Sequence, residues 1–252
     1  MPSDRRRLEE KVAFVTGAAS GICRAIAVRL AQDGARLVIT DVNDGGLEET
    51  VALIRKAGGD AVAKAADVSR AAEVEAAVRE SSHFGGLDVV VAGAGIGRFV
   101  RFEDLDEEEW NRTIAINLTG VFLTCKATIP LLLARGGGSI ITIASQSALG
   151  GYAYSQAYGA SKAGVAMLTR CLAREYASRG VRANAICPGG VMTPILRGFR
   201  TEGLDTSLIP QKGPMGRMAA PEEIAPLVAF LASDEAAYIT GQAIPIDGGA
   251  TA

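Results

Sequence analysis

Val12-Ala13-Phe14-Val15-Thr16-Gly17-Ala18-Ala19-Ser20-Gly21-Ile22-Cys23 is the stretch on which the reading of this chain turns. Its first four residues are apolar and include β-branched and aromatic types, which suit a buried extended strand. Gly17 and Gly21 then permit a sharp turn, because glycine adopts backbone angles that a side chain opposes. From 25 to 32 the apolar residues fall at helical spacing. The stretch therefore reads as strand, glycine turn and helix in direct succession.

The same order continues outward along the chain. Short apolar runs at 37–39, 61–65, 89–91, 140–143, 183–186 and 243–246 predict further strands. Segments 47–56, 72–82, 107–133, 154–178 and 221–231 predict helices between and after them. Runs that are apolar at every position, rather than at alternate ones, imply strands buried on both faces. Alternating strands and helices predict an α/β fold, a doubly wound parallel sheet with helices on both faces. No proline- or serine-rich linker and no internal repeat divides residues 1–252, so a single domain is expected. In such sheets ligands bind beyond the carboxyl ends of the strands, where the strand order reverses.

Composition narrows the possible partners. The chain has 252 residues, 48% hydrophobic and 21% charged, with a formal net charge of −2. Near-neutral charge argues against a nucleic-acid or membrane-surface partner. Arg5, Arg6 and Arg7 form the only compact basic run and read as a solvated tail. No apolar stretch follows them as in a secretory signal, and no apolar run approaches a membrane span. Cys23, Cys125, Cys171 and Cys187 lack metal-type spacing and read as buried free thiols in a reducing cytoplasm. The single histidine, His83, lies in polar Ser81-Ser82-His83-Phe84 and reads as a surface residue, so no metal is expected.

Glycines placed between the first strand and first helix let the backbone approach a pyrophosphate, whose charge the helix N-terminus favours. Three residues separate Gly17 from Gly21, a departure from the GxGxxG spacing. Asp41 closes the second strand about twenty residues on, where an acid can bind an adenosine ribose. A carboxylate there accepts from the ribose hydroxyls and repels a 2′-phosphate, and Ser20 brings no compensating positive charge, so NAD is favoured over NADP. Two features stand against this reading. Asp41 could simply open a turn with Asn43 and Asp44, and Arg24 and Arg36 are near in sequence.

Tyr158 and Lys162 lie four apart in a helical segment, hence one turn apart on one face. A phenol of reference pKa about 10 is a weak base at neutral pH. A neighbouring ammonium favours its anion and lowers that pKa, as does an oxidised nicotinamide ring. Ser145, at the end of the 140–143 strand, could face the phenol and hydrogen-bond a developing oxyanion. Asn117 falls within the preceding helical segment and could hold water for a proton relay. Taken alone, each of these polar residues reads more readily as structural.

In chain order, 16–23, Asp67-Val68, Ala92-Gly93-Ala94-Gly95, Asn117, Ser145, Tyr158-Gly159-Ala160-Ser161-Lys162 and Pro188-Gly189 resemble the motifs of the short-chain dehydrogenase/reductase family. The resemblance extends from about Leu8 to Gly249. It implies a Rossmann-type fold and hydride transfer between a nicotinamide cofactor and a secondary alcohol or ketone. It also implies that Tyr158 exchanges the proton, Lys162 lowers its pKa and binds the nicotinamide ribose, Ser145 orients the carbonyl, and Asn117 supports a water chain. By the same resemblance, Gly17, Ser20, Gly21 and Ile22 would hold the phosphates, and Asp41 and Val42 the adenosine ribose. Asp67 and Val68 would meet the adenine, Ala92, Gly93 and Ala94 would lie along the dinucleotide, and Pro188, Gly189, Val191 and Thr193 would wrap the nicotinamide. This chain departs from the family pattern in two places. Cys23 replaces a usual third glycine, which could shift the turn or leave an oxidation-sensitive thiol. Ala92 and Gly93 replace usual asparagines that tie strands together, so a looser site or a substitute hydrogen bond is expected.

The stretch 189–217 is long for a connection and is expected to cover the substrate. Thr193-Pro194 reads as a helix start. Ile195, Leu196, Phe199, Leu204, Leu208 and Ile209 would give that cover an apolar underside suited to an apolar or alicyclic substrate, or would simply pack on the domain. Gln146, Tyr152, Tyr154 and Gln156 could add hydrogen bonds. The resemblance implies a homotetramer built on the helices 107–133 and 154–178 and on the Asp247-Gly248-Gly249 region. An NADPH-dependent 3-oxoacyl thioester reductase and a non-catalytic cofactor-binding regulator are the competing readings.

Overall fold

The structure, a computed structural model, describes residues 7–209 and 213–252. Arg5 and Arg6 of the basic run and positions 210–212 of the covering stretch lie outside the described residues. Arg7 pairs with Glu235 at 3.1 Å.

Seven strands form one sheet: β1 (Val12–Thr16), β2 (Arg36–Asp41), β3 (Ala61–Ala65), β4 (Val89–Ala92), β5 (Gly138–Ile143), β6 (Val181–Pro188) and β7 (Ala243–Ile246). All pairings are parallel, in the order β3-β2-β1-β4-β5-β6-β7. Parallel neighbours require long crossovers, which the helices supply. These are α1 (Gly21–Gln32), α2 (Asp44–Lys56), α3 (Ala71–Arg79), α4 (Glu107–Ile114), α5 (Gly120–Ala134), α6 (Gln156–Tyr176) and α7 (Pro221–Ala232). This is the doubly wound, Rossmann-type arrangement expected.

Every residue of β1 is buried, and successive side chains serve opposite layers. Ala13 and Val15 join a core with Ile26 and Leu30 of α1, Leu47 and Ile54 of α2, and Ile224 and Val228 of α7. Val12 and Phe14 join a second core with Val74 of α3, Val121 and Leu132 of α5, and Val165 of α6. The edge strand β3 is exposed over its second half. The strand order reverses between β1 and β4, so a crevice opens beyond their carboxyl ends.

Three local readings are corrected. The helix expected at 107–133 is two α-helices joined through a widened π turn at Ala115–Thr119. α4 packs against α6, whereas α5 packs against α3 and β4. The whole rod Glu107–Ala134 is long and apolar enough to cross a membrane by length and composition. Here, however, Val121, Cys125, Ile129 and Leu132 are core residues of the fold. Segment 72–82 ends as a helix at Arg79 and continues as a 3-10 turn from Glu80 to Phe84. Cys171 is exposed, unlike the other three thiols. His83 is exposed as expected, its side chain beside Glu80.

Candidate active site

β1 delivers the chain to Gly17 (φ 73°) and α1 begins at Gly21 (φ 57°), both in the left-handed region that favours glycine. A Cβ on Gly17 would stand 2.8 Å from the Ala94 Cα, so the turn lies directly on the segment after β4. Ser20 caps α1 by position but makes no side-chain cap bond. Gly17, Ser20, Gly21 and Ile22 line one end of a cavity of about 640 Å³. Uncapped helix amides beside a turn bounded by two bare glycines fit a bound pyrophosphate.

Asp41 ends β2 and lines the same cavity with Val42, which is largely exposed. One carboxylate oxygen accepts from the Ala19 N–H at 3.1 Å and the other from the Asn43 N–H at 3.0 Å. The turn with Asn43 is therefore real, and it fixes the carboxylate with lone pairs to spare for a ribose. Arg24 does not oppose this arrangement. Its guanidinium donates to Glu49 at 2.8 Å, Gly46 O at 3.1 Å, Thr50 Oγ1 at 3.0 Å and the Ala19 carbonyl. Arg36 opens β2 at the opposite end of the strand and lies over the Phe84 ring.

Asp67 and Val68 follow β3 and line the cavity. The Ser69 hydroxyl and N–H both donate to Asp67, holding its carboxyl below the ordinary range. Gly93, Ala94, Pro188, Gly189, Val191 and Thr193 also line it. Ala92 does not: it is the fully buried last residue of β4, facing the core. Thr193 does not cap the 3-10 turn Pro194–Gly198, since its hydroxyl bonds back to Val191 O at 3.3 Å.

The expected substitute for the missing asparagine ties is Thr16. Its Oγ1 accepts from the Gly93 N–H at 3.0 Å and the Ala94 N–H at 3.2 Å, binding the end of β1 to the end of β4. Cys23 stands beside Gly93, filling the space where a side chain at 93 would begin. Burial pushes its thiol up to about 12, so it is a packing group rather than a reactive thiolate.

At the other end of the cavity, β5 stops at Ile143 and Ser145 lies two residues beyond it, not at the strand terminus. Ser145 caps the short turn Gln146–Ala148 and hydrogen-bonds the Tyr158 phenol. Tyr158 and Lys162 share one face of α6, with the Lys162 Nζ 5.8 Å from the phenol ring centre. Nζ also donates to the Ile143 carbonyl at 2.8 Å. Burial lowers the Lys162 pKa to about 8. Burial likewise raises the Tyr158 pKa, against the Ser145 hydrogen bond. Desolvation of the buried phenol thus outweighs the Ser145 hydrogen bond, and burial opposes the acidification expected from Lys162.

Asn117 lies in the π turn, fully buried and behind the cavity lining. Its amide accepts from the Ile96 N–H and donates to the Ile96 carbonyl, both at 2.8 Å, and donates to Ser161 Oγ at 3.1 Å. Gly95 passes between it and the ammonium: a Cβ there would stand 3.2 Å from Asn117 Oδ1 and 3.4 Å from Lys162 Nζ.

Ile195, Leu196 and Phe199 of the 189–217 stretch line the cavity; Leu204, Leu208 and Ile209 do not. Gln146 and Tyr152 line it too, whereas Gln156 belongs to a small neighbouring cavity and Tyr154 to neither. Sequence reasoning missed Ile96, Phe99, Arg112, Ile116 and Met218 as lining residues. For Ile96 and Phe99 the available signal was apolar residues in the connection after β4, at the strand edge where ligands bind.

Over residues 17–251 the sequence matches a family model described as enoyl-(acyl carrier protein) reductase. It is 44% identical over 246 residues to 2,5-dichloro-2,5-cyclohexadiene-1,4-diol dehydrogenase of Sphingobium indicum, covering 96% of this chain and 97% of that protein. It is 44% identical over 250 residues to D-threitol dehydrogenase of Mycolicibacterium smegmatis, covering 97% and 94%. A solved short chain dehydrogenase from Mycobacterium paratuberculosis bound to NAD superposes with a TM-score of 0.92 at 33% identity, covering 97% of this chain and 99% of that one.

Proposed function

The chain belongs to the short-chain dehydrogenase/reductase family, and from that premise we propose that it is an NAD(H)-dependent oxidoreductase interconverting a secondary alcohol and its ketone. One observation carries the reading. The Tyr158 phenol, Ser145 hydroxyl and Lys162 ammonium meet in a single cavity whose far end holds the glycine turn and Asp41.

The residues that would hold the dinucleotide are Gly17, Ser20, Gly21 and Ile22 at the phosphates, with Asp41 and Val42 at the adenosine ribose. Asp67 and Val68 would meet the adenine. Gly93, Ala94, Lys162, Pro188, Gly189, Val191 and Thr193 would run towards the nicotinamide. When bound, the nicotinamide supplies or accepts the hydride and, oxidised, brings a positive charge. Tyr158 gives its proton to the ketone oxygen in reduction and takes the proton from the alcohol in oxidation. Ser145 hydrogen-bonds the same oxygen while charge develops on it. Lys162 favours the phenolate during that exchange, held in place by the Ile143 carbonyl. Asn117 is a positioning residue that fixes the Ile96 backbone beside Lys162. Ile195, Leu196 and Phe199 cover the substrate end.

Asp41, and an Arg24 already committed elsewhere, weigh against an NADPH-dependent 3-oxoacyl thioester reductase. With a panel of secondary alcohols and ketones followed at the NADH absorbance band, NAD is expected to exceed NADP by about 100-fold in kcat/KM, since repulsion of like charges costs several kcal/mol. Asp41→Ser is expected to bring the two cofactors within about tenfold of each other. NADP preferred by the parent protein would overturn the cofactor assignment.

The assembly we propose is a homotetramer in a reducing cytoplasm. Phe122 of α5 is 45% exposed and Met167 of α6 is 55% exposed, leaving apolar surface on the two helices expected to pair. Light scattering is expected to give the mass of four chains; a monomer at working concentration would contradict the proposal.

A further inference from the structure

Phe199 stands edge-on to Tyr158, ring centres 5.3 Å apart and planes at 84°, and edge-on to Phe99 at 5.0 Å and 74°. This position is built into the backbone. A Cβ on Gly97 would fall onto the Phe199 ring and onto Tyr158 Cδ2 at 2.8 Å, so a bare glycine is what admits the ring there. An apolar aromatic wall therefore rises directly beside the reacting phenol.

Opposite in chemistry is Gln146, the residue after Ser145. It lines the same cavity, and its Oε1 is shielded from solvent without a hydrogen-bond partner among the described residues. A buried amide left unpaired is costly, whereas a hydroxyl can satisfy either end of it, as donor to the oxygen or acceptor from the nitrogen.

We infer that Gln146 and Phe199 together set the substrate class: an apolar ring bearing the reacting carbinol and, elsewhere on the ring, a second hydroxyl. The ring packs on Phe199 and Phe99, and the second hydroxyl pairs with the Gln146 amide. This rests on the oxidoreductase reading above and deepens it.

The test is kcat/KM with NAD for cyclohexanol, for the 1,2-, 1,3- and 1,4-cyclohexanediols, and for acyclic 2-butanol. At least one diol is expected to exceed cyclohexanol by about tenfold or more, because a site built to bond a hydroxyl discriminates against its absence. In Gln146→Leu that ratio is expected to fall to about one, whereas a merely structural loss would lower diol and monool alike and leave the ratio unchanged. In Phe199→Ala the preference for cyclohexanol over 2-butanol is expected to fall by about tenfold, the scale of a lost apolar contact. If no diol exceeds cyclohexanol in the parent protein, or the excess survives in Gln146→Leu, or the ring preference survives in Phe199→Ala, the inference is overturned while the oxidoreductase reading stands. If neither alcohols nor matching ketones turn over with either nicotinamide cofactor, the oxidoreductase reading itself is overturned, and this inference with it.

Discussion

Tyr158→Phe is expected to lower kcat/KM for alcohol oxidation and ketone reduction by about 10³-fold, within the range usual for loss of a general acid–base group. The substitution removes one oxygen and keeps the ring, so the edge-on packing against Phe199 survives. Cofactor affinity, measured by titration of the protein with NADH, is expected to change by less than about threefold, because the glycine turn and Asp41 lie at the other end of the cavity. A loss confined to turnover separates chemistry from folding. The buried phenol, with its pKa raised, is protonated at neutral pH and is poised to donate. Oxidation needs the anion, which the Lys162 ammonium and the charge of an oxidised nicotinamide both favour. A Tyr158→Phe protein that keeps parent activity across several substrates would falsify the mechanism.

Gly93→Ala is the second large effect expected. The new Cβ would run into the Cys23 Sγ and stand 2.7 Å from Ile143 Cγ1. Neither neighbour has free space, since both are buried in one core. Overpacking of this kind costs about 1–3 kcal/mol. The strain falls where Thr16 binds the Gly93 and Ala94 amides, against the glycine turn. A displacement of about 1 Å in such a place can cost about 100-fold, so NAD affinity is expected to weaken by that order. Cys23→Gly removes one of the two obstructions. The double variant Cys23→Gly with Gly93→Ala is therefore expected to recover much of the loss, leaving the share owed to Ile143, with a coupling of about 1 kcal/mol or more. Calorimetric melting and NAD titration read the two quantities. A silent Gly93→Ala, or effects that add without coupling, would show the two sites to be independent.

The same contact marks the limit of what the sequence discloses. Strand and helix periodicity is local, so β1, α1 and the alternation that follows are legible from 12–32 onwards. Tyr158 and Lys162 are legible because helical spacing is fixed. Asp41 is legible because a strand end is a local event. Cys23 and Gly93, by contrast, read as two separate departures from a family pattern. Only the sheet, which sets β4 beside β1, brings the thiol into the space that residue 93 leaves open. Phe99 and Met218 were missed for the same reason, since each reaches the cavity from a loop whose path no periodicity predicts. The burial that raises the Tyr158 pKa is a tertiary property, which helical spacing does not disclose.

The π turn at Ala115–Thr119 has a geometric consequence for the two layers it joins. An additional residue within a helical turn advances every later side chain by about 100° of azimuth. The packing faces of α4 and α5 therefore point along different bearings, although the rod is continuous. α4 can look towards α6, which carries Tyr158 and Lys162, while α5 looks towards α3 and β4. Asn117 sits at this change of phase, and there its amide holds the Ile96 backbone.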